Sequence, residues 1–183
     1  MTAKAALTYA DYAALDDGKR YELLDGELYV TPAPSGQHQL IVSNLVSVLD
    51  RYVRPRRAGI LLFAPLDVIF ADTTVAQPDI VYLDNSRRSL VSRRGIEGPP
   101  MLAVEVLSPS TTSRDRRIKF ALYARFAVPF YWIVDPVARV LEAYALEGSS
   151  YVETLRASGP TPCGPRPFED LALVVDNLWP EAG

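Results

Sequence analysis

Between residues 21 and 31 the chain alternates: Tyr21, Leu23, Leu28 and Val30 are apolar, with Asp25-Gly26 between the two halves. An Asp-Gly pair flanked by alternating hydrophobics predicts a β-hairpin. Ahead of it, Thr8 with Asp11 three residues on reads as a helix cap and opens a short helix through Ala14 and Leu15. Past a turn at residues 32–36, Ile41, Val42, Leu45, Val46, Leu49 and Tyr52 recur at helical spacing. They predict a helix over residues 37–52 that Pro55 stops.

The pattern then turns to strands. Residues 60–70 read as one long strand or as two broken at Pro65, and residues 79–83 as a short one. Residues 101–107 are almost wholly apolar, as in a central strand covered by helices on both faces. Ser108-Pro109 ends that run, and Thr112 is expected to cap a helix over residues 113–126 with Asp115 at its third position. Helical spacing puts Asp115, Ile118, Lys119, Leu122 and Phe126 on its inward stripe. Another buried strand at residues 131–134 closes at Asp135-Pro136. Residues 139–146 and 151–155 form a hairpin around 147–150, and residues 168–179 carry a last apolar element. The order predicts one domain spanning residues 1–183 of α/β class. It is a mixed α+β fold whose central mixed sheet is flanked by helices, with a helix-hairpin at its N-terminal side and a hairpin at its C-terminal side.

Composition narrows the chemistry. With 49% hydrophobic residues the chain can bury a sizeable core, so disorder is not expected. One cysteine, Cys163, and one histidine, His38, exclude a disulfide framework and the Cys/His zinc sites, so any metal here takes oxygen ligands. No apolar run approaches the roughly 20 residues a membrane span needs. Residues 1–7 lack the apolar core of a secretory signal, and a cytoplasmic protein without a membrane role is expected. The net charge of -3 argues against coating nucleic acid by bulk charge. The cations are nonetheless clustered, four arginines within residues 51–57, four within 87–94 and four cations within 114–119, which suits a phosphate-bearing partner at one face. Solvated arginine-rich loops are the plainer reading of each cluster alone.

Three residues carry the candidate chemistry. Glu105 lies in Ala103-Val104-Glu105-Val106-Leu107, where every neighbour favours burial. A buried carboxylate needs a partner, and a salt bridge to an arginine would supply one without any function. Asp79 follows Gln77-Pro78 and opens a strand, so it is either a turn-forming aspartate or a second acid beside Glu105. Two carboxylates on neighbouring strands repel unless a cation lies between them, and Mg²⁺ favours such oxygen pairs. Lys119 is the only lysine after Lys19 in a chain of 16 arginines, and the inward stripe carries it. A lysine can shift its pKa when buried where an arginine cannot; an exposed Asp115–Lys119 pair is the structural alternative. His38 sits in the first turn of its helix, where the dipole disfavours the imidazolium and a neutral ring is expected. Glu22 alternates with Tyr21 and Leu23, away from the hairpin's apolar side, and is either a surface residue or a further acid of the site.

Gln77-Pro78-Asp79 followed by Glu105 resembles the PD-(D/E)XK nuclease pattern. More specifically, the chain resembles the Uma family of restriction-endonuclease-like proteins. The resemblance runs through Leu7-Thr8-Tyr9, Tyr21-Glu22-Leu23-Leu24-Asp25-Gly26-Glu27, His38, Gln77-Pro78-Asp79-Ile80, Val104 to Thr111, Asp115, Lys119, Tyr123 and Tyr131 to Pro136. Two positions depart from it. The lysine expected two residues after the strand acid is Leu107, which the resemblance accounts for by a lysine moved to the following helix, at Lys119. The position before Tyr131, often acidic in similar chains, is Phe130.

The resemblance implies a restriction-endonuclease-like fold and metal-assisted hydrolysis of a phosphodiester in nucleic acid, DNA foremost. Asp79, Glu105 and the main-chain carbonyl of Val106 would hold Mg²⁺ or Mn²⁺, with Lys119 as the third catalytic group. His38, Glu22 and Asp115 would support them, and Arg114, Arg116 and Arg117 would contact the phosphate backbone. A homodimer would supply the two sites that cutting a duplex requires. The competing expectation is the same fold as a catalytically inactive nucleic-acid- or protein-binding module. A serine or cysteine hydrolase is excluded: no Gly-x-Ser-x-Gly elbow is present, and Cys163 lies in a proline-rich stretch.

Overall fold

The computed structural model describes residues 5–180. Helix α1 (Tyr9–Ala13) begins as expected: the Thr8 hydroxyl accepts from the Asp11 amide and the Asp11 carboxylate accepts from the Thr8 amide, a reciprocal cap. Strands β1 (Arg20–Leu24) and β2 (Glu27–Thr31) are joined at Asp25-Gly26, with φ of 53° and 80°. Two consecutive positive φ values make the turn whose twist suits a tight hairpin.

Helix α2 (Gly36–Arg56) starts from Ser35, whose hydroxyl accepts from the His38 amide. It runs one turn past the expected end. Pro55 lies inside its last turn, because the hydrogen bond that proline forfeits falls on the exposed end of the helix. The stop is Arg57 in the left-handed region. Residues 60–70 prove to be two strands in different sheets, β3 (Gly59–Phe63) and β4 (Val68–Ala71). The short strand β5 (Thr74–Ala76) was not expected from the sequence; it pairs β4 and β1.

A six-stranded sheet carries the fold, in the order β10-β9-β8-β7-β6-β3. Its members are β3, β6 (Ile80–Asp84), β7 (Leu102–Val106), β8 (Phe130–Asp135) and the expected hairpin β9 (Val140–Glu147) and β10 (Ser150–Ala157). Only β7 and β8 run parallel, so the sheet is mixed, and the helix between them provides the crossover. A second sheet, β2-β1-β5-β4, holds the N-terminal hairpin.

Period two sorts β7 onto two cores. Leu102, Val104 and Val106 face α2 and the buried C-terminal residues Phe168, Leu171, Leu173, Val175 and Leu178. Ala103 packs on the other face with Leu122, Tyr123, Tyr131 and Ile133. Glu105, in phase with Ala103, therefore points into the second layer. The helix over that layer departs from expectation. The helical run spans residues 112–125, but Arg114–Lys119 within it form a π-helical turn ahead of α3 (Phe120–Arg125). Thr112 is not its cap, because it already lies inside the helical run with its amide and its hydroxyl both donating to the Ser108 carbonyl, and Ser113 makes no side-chain cap either. The widened turn shifts the helical phase of the residues beyond it. Ile118, expected inward, is exposed, and Tyr123 is fully buried.

Among the described residues no helix is long and apolar enough to cross a membrane. Gly59 opens the edge strand β3 where a Cβ would lie 2.1 Å from the Leu83 carbonyl oxygen. Gly59→Ala should therefore cost about 1–3 kcal/mol by overpacking, read as a lower urea midpoint at constant m. An unchanged midpoint would mean that β3 can part from β6 freely.

Candidate active site

Three elements converge at the C-terminal end of β7. Pro78 sets Asp79 just ahead of β6, and antiparallel pairing brings that point level with the end of β7, where Ile80 opposes Val104. There the Asp79 Oδ2 accepts the Val106 amide at 2.8 Å. The first turn of α2 brings in His38, whose Nε2 lies 3.0 Å from the Val106 carbonyl and 3.3 Å from Asp79 Oδ2. A carbonyl can only accept, so Nε2 carries the proton. Burial pulls the His38 pKa down, but the hydrogen bond and charge of Asp79 and the Val106 carbonyl outweigh it and hold it above its ordinary value. Against the helix dipole, which favours the neutral ring expected from the sequence, the Asp79 carboxylate in direct contact favours the imidazolium.

One residue along, Glu105 turns to the other face of the sheet. Its Oε1 accepts from Lys119 Nζ at 2.9 Å and from the Tyr123 hydroxyl at 2.7 Å. Its partner is thus a lysine, not the arginine that a plain structural reading would have supplied. Lys119 Nζ also lies 2.8 Å from Glu22 Oε1 and 3.5 Å from Asp115 Oδ1. The Asp115–Lys119 pair exists but is buried at both ends, not exposed. Glu22 is no surface residue: it is 1% exposed. It accepts from the Gln77 amide at 2.8 Å and from Arg114 at 3.2 Å, so it ties the hairpin to both the strand opening at Asp79 and the π turn. Arg114 also donates to the Val30 carbonyl and lies over the Tyr29 ring.

The arginines do not act as one group. Arg114 is drawn into the site by Glu22. Arg116 is held on Glu142, through two hydrogen bonds of 2.8 and 3.1 Å, and on Asp135. Arg117 is exposed. The sequence reading missed Tyr123 as a site residue. It was among the residues of the family resemblance but was given no role, because an α-helical phase assigns a position four residues after Lys119 to the flank of the inward stripe.

Electrostatics set the chemistry of this cluster. Burial pushes the Glu105 carboxyl well up; Lys119 opposes that, and Asp115, Asp79 and Glu22 add to it. Burial likewise raises Asp115. Burial pulls Lys119 down, yet Glu105, Glu22 and Asp115 outweigh it, and the ammonium stays charged. Glu22, Asp79, Glu105 and Asp115 are four acids, against which stand the fixed cations Lys119 and Arg114. With all four ionised, the acids exceed Lys119 and Arg114 by two charges, an excess that a protonated His38 halves and that one divalent cation matches when the ring is neutral.

The donor atoms suit such an ion. Among the described residues, no group of three or more His, Cys, Asp or Glu side chains is arranged to hold a metal by itself. A metal here would rest on two carboxylates, a main-chain carbonyl and water, which is how Mg²⁺ is commonly held. Asp79 uses Oδ2 and Glu105 uses Oε1 for their contacts, and among the described residues Asp79 Oδ1 and Glu105 Oε2 take no hydrogen bond. Asp79 and His38 line a cavity of about 540 Å³, with Gln77 and the loops carrying Pro32, Pro65 and Pro109. Glu105 and Lys119 lie behind that surface, each 3% exposed.

The fold is shared with a crystal structure from Anabaena variabilis ATCC 29413 described as a "putative nuclease belonging to DUF820". It superposes with a TM-score of 0.77 at 23% identity, over 94% of this chain and 97% of that one. No curated protein is significantly similar to this chain. Residues 8–176 match the family described as "Putative restriction endonuclease", a span running from the cap of α1 to the C-terminal segment that closes the α2 core, and the chain belongs to this family, Uma2.

Proposed function

We propose that the chain is a divalent-metal-dependent nuclease that hydrolyses phosphodiester bonds of nucleic acid, DNA foremost. The observation that carries this reading is the four-acid cluster with two carboxylate oxygens free of hydrogen bonds, Asp79 Oδ1 in the lining of the cleft and Glu105 Oε2 behind it. The family and the fold of the Anabaena structure point the same way. Mg²⁺ or Mn²⁺ held by Asp79, Glu105 and the Val106 carbonyl would stabilise charge on the phosphate oxygens and supply a water acidic enough to ionise near neutral pH.

The chain's own groups divide the remaining work. Lys119, kept as an ammonium by three carboxylates, stabilises added negative charge and orients the attacking water; it does not take the water's proton. Tyr123 fixes the Glu105 carboxylate by donating to Oε1 and so leaves Oε2 free of hydrogen bonds. His38 holds a proton at Nε2 against both Asp79 and the Val106 carbonyl, so a cation taking those oxygens competes with it. Acid should therefore weaken metal binding.

A cleavage assay on mixed DNA and RNA with Mn²⁺ tests the reading, with Asp79→Asn as control. The wild type should cut and the variant should not. If calorimetry finds no carboxylate-dependent Mn²⁺ binding and nothing is cut, the chain is an inactive binding module instead.

A further inference from the structure

The cleft over Asp79 has a size and a rim that bear on the form of substrate it takes. At about 540 Å³ it falls in the range of small-molecule pockets, roughly 300–1,000 Å³. A duplex does not descend into a slot of that size, since its major groove alone is about 12 Å wide and 8.5 Å deep. The reacting phosphate must nonetheless reach Asp79, which lies at the floor with its side chain 18% exposed. The walls include Pro32, Pro34, Pro65 and Pro109, and Arg20 is the one arginine or lysine among the lining residues. Grip on a paired phosphate backbone is therefore slight within the cleft.

The rim supplies a different kind of contact. Phe63 is 56% exposed, the most exposed aromatic among the large hydrophobics at the surface. Its backbone pairs with Ile80, the residue after Asp79, and the next residues, Ala64 and Pro65, line the cleft. Scattered exposed hydrophobics need no explanation, but an exposed aromatic ring on the strand beside Asp79 does. Bases that are not paired expose their faces and stack on such rings, a contact worth about 1–3 kcal/mol per base.

We infer that the cleft accepts an unpaired strand of nucleic acid, with one base stacked on Phe63 while the adjoining phosphate reaches Asp79. This rests on the nuclease reading only for what happens to the strand once bound. Binding is measured by fluorescence anisotropy in Ca²⁺, with a labelled single-stranded oligonucleotide and with the duplex of the same sequence. The full chain, Phe63→Ala and Phe63→Trp are compared, and cleavage of both oligonucleotides is followed in Mn²⁺.

The single strand should bind more tightly than the duplex. Phe63→Ala should weaken it at least fivefold, and Phe63→Trp should restore it; the exposure of Phe63 leaves the fold of these variants intact. A duplex bound as tightly as the single strand, an unchanged Kd in Phe63→Ala, or no binding of either oligonucleotide overturns the inference. Preferential cutting of the duplex overturns it too, and leaves the nuclease reading standing. Phe63-dependent binding of the single strand with no cleavage of any substrate does the reverse.

Discussion

Lys119→Met should melt roughly 10 °C below the parent protein at pH 7. Lys119 Nζ is the shared partner of Glu22, Glu105 and Asp115, all of them buried. Removing one member of a buried ion pair costs about 3–5 kcal/mol, because the remaining charge loses its compensation. In a chain of this length each kcal/mol moves Tm by about 2–4 °C. The pH dependence identifies the cause. Without the ammonium, the folded-state pKa values of Glu105 and Asp115 rise further above the ordinary carboxylate range, where burial already pushes them. A carboxyl whose folded pKa is raised contributes its stability below the unfolded pKa and loses it as pH rises through the folded value. The gap between Lys119→Met and wild type should therefore shrink as pH falls from 7 toward 5, and widen again above it. Differential scanning fluorimetry across that range suffices. Equal melting at pH 7, or a gap independent of pH, would show that the lysine does not balance these acids.

Much of this arrangement was legible in the sequence, for physical reasons that differ by residue. The hairpin around Asp25-Gly26 was readable because two positive-φ positions admit few residues. The burial of Glu105 was readable because β7 is apolar on both faces, and that of Lys119 because arginine is so freely used elsewhere in the chain. What escaped was set by tertiary context. The π turn at Arg114–Lys119 has no propensity signature, and it carried Tyr123 inward and Ile118 outward against the helical phase. Glu22 looked solvent-facing because a two-stranded hairpin leaves one side open. That side is closed by the π turn and by Gln77, which the sequence places 92 and 55 residues away. The pull of Asp79 on His38 escaped because its helix was considered without the strand that carries that acid. Arg114, Arg116 and Arg117 show the limit of a cluster read by spacing: neighbours in sequence, they are divided between Glu22, Glu142 with Asp135, and solvent.

Glu105→Gln should separate the stability of the site from its chemistry by moving them in opposite directions. The amide keeps an acceptor for Lys119 and Tyr123, so the local geometry survives. It also removes one of four crowded acids, so the metal-free protein should be at least as stable as wild type at pH 8 and should lose less stability between pH 5 and 8. A neutral amide is a poor ligand for a hard divalent cation. In the wild type, Mn²⁺ at a hundred times its Kd should add about 2.7 kcal/mol by mass action; in Glu105→Gln that increment should vanish. Cleavage should fall at least a hundredfold, on the order of removing a single preorganised electrostatic group. A variant that is destabilised and inactive would make Glu105 a structural anion, needed only to seat Lys119. One that is stable, unresponsive to Mn²⁺ and inactive assigns it to the metal. One that still cuts at the wild-type rate removes Glu105 from the chemistry, whatever its burial.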